Sequence, residues 1–229
     1  SGGDITIRGL TDAGSSAEQV AFMGASQVLS ETAGTGNGGT IAIQTAQLMM
    51  QDFSLISTSS QGEGTVGHAG DITVNAGQSL GVTSGSLIES GSIALSEGNA
   101  GTITVTAPAI TLDAGTISTT TEFAGSAGTV MIKTNSLTVQ NGGQITSSSV
   151  IVEDIPTGSA GNITIQGLAG PAQSVLIDGP GSGLFTDTQG SGAGGNIFVN
   201  ANSIMLQNGG TLSAKTSGTE TTATGGTIA

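Results

Sequence analysis

Few side chains in this sequence are of the types on which catalysis and metal binding depend. Among 229 residues there is one histidine, no cysteine, and three Lys or Arg against sixteen Asp or Glu. A Ser/His/Asp triad would have to use His68, which lies in a predicted loop between repeats. Zinc sites draw on several His or Cys ligands, which this composition does not supply. We therefore predict no catalytic, cofactor-binding or metal-binding residue, and no cofactor.

Paired carboxylates are the other chemistry to consider, because parallel β-helices include polysaccharide hydrolases and lyases. Hydrolysis needs two carboxyl groups about 5–10 Å apart. Asp4 and Asp71 occupy equivalent positions of a sequence repeat, but Thr40 lies at the same position between them. Sugar-binding grooves also favour aromatic platforms, and the chain has five Phe but no Trp or Tyr. We expect the chain not to be an enzyme, and keep a carbohydrate-binding or carbohydrate-cleaving β-helix as the alternative.

The charged residues are sparse and mostly acidic. They make up 8% of the chain, the net charge is −13, and the only Lys or Arg residues are Arg8, Lys133 and Lys215. Nucleic acids are bound by clustered cations that displace counterions, and anionic membrane surfaces attract the same clusters. The composition therefore predicts no nucleic-acid partner and disfavours an anionic membrane surface.

Several short motifs resemble functional ones but fall in the wrong context. The pattern Gly-x-Gly-x-x-Gly occurs at Gly34-Gly36-Gly39 and Gly190-Gly192-Gly195, yet its phosphate-binding form requires a following helix. Both matches run into predicted strands, so we interpret them as turns. Asn162-Ile163-Thr164 matches a glycosylation acceptor at a predicted strand start. Threonine runs such as Thr119-Thr120-Thr121 suggest an ice-binding solenoid, a less favoured hypothesis because equivalent positions such as Glu89-Ser90 form no regular threonine array.

The dominant pattern is a repeat of about 32 residues. Each repeat opens with a signature, defined here as a glycine followed by Asp, Asn or Thr and then a strand of alternating apolar and polar residues. Self-similarity at a period of 20–50 residues indicates a solenoid or a repeat array. Seven signatures begin at Gly3, Gly39, Gly70, Gly101, Gly128, Gly161 and Gly195, and a partial one at Gly226.

Each repeat contains two further short strands whose apolar residues are two positions apart, as expected when one face of a strand points inward. Asn-Gly pairs at 141–142 and 208–209 predict turns between these second and third strands. We expect second strands to hold the pairs Val20/Phe22, Leu48/Met50, Leu80/Val82, Ile110/Leu112, Leu137/Val139, Val175/Ile177 and Ile204/Leu206. We expect third strands to centre on Val28, Leu55, Leu87, Ile117, Ile145, Leu184 and Leu212.

These strands predict an all-β fold, a right-handed single-stranded parallel β-helix of about seven coils with three short strands each. Strands this short bury a face only by stacking on equivalent strands at about 4.8 Å, and parallel crossovers are almost always right-handed. The stacking would make Ile72, Ile103 and Val130 vertical neighbours. We expect residues 1–229 to form one domain, a segment of a longer array or a subunit that stacks end to end into filaments. The stretch 17–23 has only modest helical character.

Alternation also predicts which apolar residues face outward and where the loops lie. Loops with possible binding roles are expected at 11–19, 90–99, 147–160 and 167–174. We expect Leu29, Ile56 and Ile88 to form an outward ladder covered by the 90–99 loop. Other apolar side chains expected to face outward are Met49, Met131, Leu176, Phe198 and Met205.

Two segments, Asn135–Ser147 and Ala201–Ala214, combine an alternating strand, an Asn-Gly-Gly turn and a Ser- or Thr-rich strand. They resemble the repeats of filamentous-haemagglutinin-like exoproteins. The resemblance implies a secreted rod on the bacterial outer surface, exported by two-partner secretion through an outer-membrane transporter. It supplies no catalytic residues. We expect a non-catalytic structural or adhesive rod or fibre component whose further partner is a ligand on a host or neighbouring cell.

Overall fold

The structure is a computed structural model that describes residues 1–12, 14–62, 64, 66–93, 96–150, 158–218 and 223–229. Within these ranges the chain forms nineteen strands and no helix. The strands are β1 Ile5–Ile7, β2 Ala17–Phe22, β3 Gln27–Thr32, β4 Ile41–Met50, β5 Leu55–Ser60, β6 Ile72–Thr83, β7 Leu87–Ser92, β8 Ile103–Thr106, β9 Ala109–Asp113, β10 Thr116–Thr121, β11 Val130–Lys133, β12 Ser136–Gln140, β13 Gln144–Ser149, β14 Ile163–Gln166, β15 Ser174–Asp178, β16 Gly183–Phe185, β17 Ile197–Val199, β18 Ile204–Gln207 and β19 Thr211–Ser213.

The strands stack into a parallel β-solenoid, as the repeat predicts. First and second strands of each coil join one 12-stranded sheet, and third strands form a 7-stranded sheet. The third strands pair in the order β3, β5, β7, β10, β13, β16 and β19. The seven third strands are separated by six steps, so the solenoid has about 6 turns with a period of about 30 residues, a count slightly different from the seven coils expected. The segments that contain the seven third strands are called coils one to seven below.

First and second strands are fused in coils two and three, where separate short strands were expected. β4 runs for 10 residues and β6 for 12, and their pairing shifts register between Thr45 and Gln47. The shift is a bulge-like irregularity, which lets the strand turn the corner without ending. The 17–23 stretch contributes β2, which pairs with β4. Its modest helical character is therefore overridden by the strand pairing.

The interior is a column of aliphatic side chains in vertical register. Ile72 pairs with Ile103, which pairs with Val130, and all three are fully buried. The predicted second-strand residues stack in the same way, as in Leu80 on Ile110. In the inner coils the aliphatic side chains thus cover their counterparts in the neighbouring coils, which is the nearest-neighbour stabilisation typical of solenoids. In the last coil, Ile204 and Leu206 stack on Val175 and Ile177 but are 45% and 42% exposed. The stacked arrangement of the repeats is confirmed.

The expected centres of the third strands were wrong in coils two and three. Ile56 and Ile88 face inward with 0% exposure and stack with Val28 and Ile117. Leu55 and Leu87 were expected inside, and they alternate with these residues on the half-buried outer side. The predicted outward ladder of Leu29, Ile56 and Ile88 therefore does not exist, although Leu29 itself is exposed. Each of these strands contains two consecutive apolar residues, so alternation alone does not determine which of the two faces inward.

A second buried column in the third strands is polar. Ser147 is fully buried, donates its hydroxyl to the Gly128 carbonyl at 2.7 Å and accepts the Gly161 N–H at 2.8 Å. Such bonds satisfy backbone groups that would otherwise be costly to bury. This hydroxyl column ties the third strands of coils one to six to signature glycines. Its members are Ser30, Thr58, Ser90, Thr119, Ser147 and Thr186.

The signature glycines are required by close approach of successive coils. A Cβ on Gly161 would overlap the carbonyl of Gly128, and a Cβ on Gly128 would overlap that of Gly101. By contrast, Gly81 on the outer side of β6 has open space around its Cα. The repeated glycine is therefore a packing requirement of the corner between coils.

The corner between second and third strands uses left-handed backbone conformations. Asn141 and Gly142 have φ angles of 54° and 83° there, which confirms the turn predicted from the Asn-Gly pair. In coil two the same corner is made by Asp52 and Phe53, with φ angles of 57° and 62°. Phe53 is 74% exposed. An exposed phenylalanine thus occupies a position where other coils use glycine or alanine, as at Gly85 and Ala114.

The predicted loops are shorter than expected. Ser90–Ser92 belong to β7 and Ser147–Ser149 to β13, so these two loops begin only after them. The 11–19 loop ends where β2 begins at Ala17, and the 167–174 loop ends where β15 begins at Ser174. Ala172 in the last loop is buried. Ala13, Ala94, Leu95 and residues 151–157 of these loops, and residues 219–222 in the threonine-rich stretch near the end of the chain, lie outside the described residues.

Candidate functional site

The acidic signature residues cap the next coil rather than forming a catalytic pair. The Asp4 carboxylate accepts the backbone N–H of Thr40 at 2.8 Å and its hydroxyl at 3.0 Å. These hydrogen bonds hold the pKa of Asp4 below its ordinary value. Asp71 accepts the N–H of Thr102 at 2.7 Å in the same way. Asp4 and Asp71 are thus separated by the coil of Thr40, as expected, and each is engaged by a backbone donor.

Asn162 serves the same capping role as the acidic residues. Its side-chain oxygen accepts the backbone N–H of Asn196 at 2.8 Å, and Asn196 accepts that of Thr227 at 2.8 Å. The Asn162-Ile163-Thr164 motif therefore lies at a strand start, as predicted. The two glycine motifs likewise run into β4 and β17. The second and third glycines of each motif pack against backbone of neighbouring coils, whereas Gly34 has open space around its Cα.

His68 belongs to a capping ladder one step before the signature. Its Nδ1 accepts the backbone N–H of Asn99 at 2.9 Å, while its own backbone N–H donates to Asn37 Oδ1 at 3.1 Å. Asn99 in turn accepts the N–H of Ser126 at 2.8 Å. The imidazole thus accepts a backbone N–H of the next coil, as the asparagine side chains of the adjacent coils do. This exposed histidine therefore has a structural role.

Two aspartates at the second corner are held by amides of the following coil. Asp113 accepts Gln140 Nε2 at 2.9 Å and Asn141 Nδ2 at 2.8 Å. The Asn141 and Gln140 hydrogen bonds lower the pKa of Asp113. Asp178 has the same arrangement with Asn208 and Gln207, which lower its pKa. Sequence analysis did not find these pairs, although the shared Gln-Asn-Gly spacing in the fifth and seventh repeats is a signal for them.

Glu89 is the one acidic residue of the described structure whose pKa is shown to be raised. It lies half-buried on the outer side of β7. Burial is the largest cause of its raised pKa, followed by the carboxylates of Glu122 and Glu31. A Cβ on Gly91 would contact both Glu89 Oε1 and Ile93 Cγ2, so the start of the 90–99 loop packs beside this carboxyl group. A carboxyl group in such surroundings is a candidate functional residue, although no group of three or more His, Cys, Asp or Glu side chains among the described residues is arranged around it to hold a metal ion.

A shallow polar depression lies on the outer face of the 12-stranded sheet near coil one. Its outward side chains are Thr6, Arg8, Gln44, Thr73 and Asn75. Hydrogen-bond donors and one guanidinium converge here, which suits an oxygen-rich ligand. The other two cations lie elsewhere. Lys133 stacks between Thr106 and Gln166, and Lys215 contacts Asp187 at 3.5 Å.

The expected outward apolar residues do face outward. Met49, Phe198 and Met205 are 40%, 47% and 53% exposed, while Met131 and Leu176 are half-buried on the same side. The threonine run of β10 splits instead between two sides. Thr119 and Thr121 are buried, and only Thr120 faces outward. This run therefore does not present a surface array of threonines.

Comparison with known proteins adds no identification: no protein-family model, curated protein or solved structure matches the chain. Among the described residues, no group of three or more His, Cys, Asp or Glu side chains is arranged to hold a metal ion. Those residues also include no helix of sufficient length and apolarity to cross a membrane.

Proposed function

We propose that the chain is a structural and adhesive rod at a bacterial surface, exported through an outer-membrane transporter as the repeat resemblance implies. The observation that carries the proposal is the continuity of bonding along the axis. Parallel strand ladders link all seven coils, and capping side chains such as Asp71 and Asn162 add bonds between successive coils. Load applied along the axis would be distributed over many bonds in each coil.

The outward faces supply the adhesive part of the proposal. They combine a net acidic character with separate apolar side chains such as Phe198 and Met205. Such a surface suits contact with a ligand on a host or neighbouring cell through apolar anchors in a polar surround. End-to-end association into filaments is part of the same proposal.

Immunogold electron microscopy of the native cells tests this function. Antibody against the chain should label thin projections on the cell surface, and a strain lacking the gene should adhere less to host cells. A strain lacking only the outer-membrane transporter should retain the protein inside. Labelling confined to the cytoplasm, or unchanged adhesion of the deletion strain, would contradict the proposal.

Carbohydrate binding is the second candidate, and the polar depression around Arg8 and Asn75 favours it. A glycan array probed with the purified chain would identify a sugar ligand. Binding that disappears in Arg8→Ala but persists in Lys215→Ala would assign the ligand to the depression. Equal loss in both variants would indicate nonspecific attraction to scattered cations.

A further inference from the structure

Two buried hydroxyls in neighbouring coils have no hydrogen-bond partner among the described residues. They are Thr121 Oγ1 at the end of β10 and Ser149 Oγ at the end of β13. Both residues are fully buried, and they pair directly in the parallel ladder. A buried hydroxyl without a partner costs about 1–3 kcal/mol. Two of them side by side at one place in the interior therefore call for a common explanation.

The equivalent hydroxyls of other coils are satisfied. Ser60 is 3.1 Å from the Ser96 hydroxyl, and Ser92 donates to the Ser96 carbonyl at 3.3 Å. Ser96 is fully buried, and its hydroxyl also donates to the Gly67 carbonyl at 3.3 Å. An oxygen contributed by the loop after β7 thus bridges the end of a third strand to a loop glycine.

Coil six satisfies the same position by a different route. Thr188 donates to the Ala193 carbonyl at 2.8 Å and accepts the Ala160 N–H at 3.0 Å. Coils four and five contain neither arrangement among the described residues. At their corner the interior side chains are small, since Ala127 and Ala160 are buried there. Gly125 is the counterpart of Gly67 in the stacked loop glycines, because each added Cβ would meet the preceding carbonyl in the series Gly67, Gly98, Gly125 and Gly158.

We propose that one ordered water molecule is bound inside the solenoid between Thr121 and Ser149. Neighbouring strands lie about 4.8 Å apart. A water about 2.8 Å from each of two oxygens so separated sees them at an angle of about 118°, close to tetrahedral. The Gly125 carbonyl is the third partner, by analogy with the bond between Ser96 and Gly67. Buried waters typically make about three such bonds. The site takes the place that the Ser96 hydroxyl fills two coils earlier.

Water relaxation dispersion on the whole chain, together with a crystal structure at about 1.5 Å, tests the site. The crystal structure should show a water within about 3.2 Å of both hydroxyls. Thr121→Val removes one hydroxyl with little change of shape, and it should remove one long-lived water from the dispersion signal. Its melting temperature should fall by about 2–4 °C. Thr119→Val is the matched control, because it loses a direct bond to Gly128 and should keep the water.

The opposite results would overturn the proposal. A dry corner in the crystal structure, or a Thr121→Val variant that is more stable than the parent chain, would show that the two hydroxyls are simply unsatisfied. If Thr121→Val fails to fold, Ser149→Ala provides the same comparison from the other side. The relaxation dispersion of the unaltered chain then still reports whether a long-lived internal water is present. This inference concerns the interior and is independent of the proposed surface role.

Discussion

Individual residues in this solenoid are constrained mostly by their counterparts one coil away. Asp4, His68 and Asn162 differ in chemistry, but each accepts a backbone N–H of the following coil. A residue that suggests catalysis when met alone in the sequence is therefore a cap in the structure. Sequence analysis placed His68 correctly in a loop, but its hydrogen-bond partner became apparent only from the alignment of coils.

Glu89 should destabilise the fold at neutral pH. Burial and the Glu122 and Glu31 carboxylates raise its pKa above the ordinary value of 4.5. The folded chain therefore binds its proton more tightly than the unfolded chain, and stability falls as pH rises above about 4.5. Glu89→Gln should raise the melting temperature at pH 7 and have little effect below pH 4.5. Thermal unfolding at both values checks this, with the exposed Glu18→Gln as control. An equal effect at both pH values would contradict the electrostatic explanation.

Phe53 should cost stability because of its left-handed backbone. A residue with a Cβ pays roughly 1–2 kcal/mol in this region, and Phe53 buries little of its ring in return. Phe53→Gly should stabilise the chain by about 0.5–1 kcal/mol, since part of the gain is offset by the flexibility of glycine in the unfolded chain. Chemical denaturation measures the change. The reciprocal variant Gly85→Ala should be destabilising, because its φ is 76° and its Cβ would meet the Phe53 ring. A less stable Phe53→Gly would instead indicate that the ring contact outweighs the strain.

At the scale of strands and corners, the sequence predicts the positions of the first and second strands well but misplaces two third strands. First and second strands were located from strict alternation, as in Ile103 and Val105. Third strands in coils two and three were misregistered by one residue, because Leu55-Ile56 and Leu87-Ile88 satisfy alternation in either phase. In the structure, the inward-facing isoleucine lies two positions after a small residue, Ser54 or Ser86, and both serines are buried at the corner. That small residue was a readable signal, since Gly143 precedes Ile145 by the same distance.

The interior hydroxyl column should contribute measurably to stability. Ser147→Ala removes a donor to Gly128 and an acceptor for Gly161, and should cost about 1–3 kcal/mol because it leaves buried backbone groups unpaired. Ser148→Ala, the half-buried neighbour on the outer side, is the matched control and should change stability by less than about 0.5 kcal/mol. Urea unfolding compares the two. Equal losses would show that the column is not specifically responsible.

The signature glycine should tolerate no side chain. Gly161→Ala places a methyl group onto the carbonyl of Gly128, which forces two backbones apart and should cost at least about 3 kcal/mol. Gly81→Ala adds the same atom where space is open, and should be neutral or slightly stabilising. Circular dichroism melting curves of the two variants give the comparison. A Gly161→Ala chain of normal stability would show that the coils can separate at this corner without loss.

At the scale of the whole molecule, the solenoid should behave as a stack of interchangeable units. Deletion of residues 101–127 removes one complete coil and brings Gly128 into the place of Gly101. The shortened chain should fold, with its axis reduced by about 4.8 Å. Deletion of 101–114 removes only part of a coil, breaks the register and should prevent folding. Small-angle X-ray scattering and circular dichroism distinguish these outcomes. Failure of the in-register deletion would mean that contacts beyond the nearest coil are needed.

The overall architecture was readable because the repeat imposes one solution on the entire chain. A surface role is less accessible, since residues that touch only solvent carry no vertical constraint. The depression around Arg8 is lined by residues of the long strands β4 and β6 beside coil one. No local motif marks this fusion, because it depends on how the first and second strands join at the corner.

The capping bonds accepted by Asp, Asn and His side chains point the same way along the chain. Oxygen atoms of Asp71, Asn99 and Asp113 belong to the earlier coil, and the N–H groups that they bind belong to the later one. Each completed coil therefore presents acceptor oxygens to the N–H groups of the next coil. If the chain folds from its amino end, these acceptor oxygens are in place before the N–H groups that bind them. If it folds from its carboxyl end, the N–H groups are in place before their acceptors. These capping side chains therefore favour coil-by-coil folding that starts at the amino end.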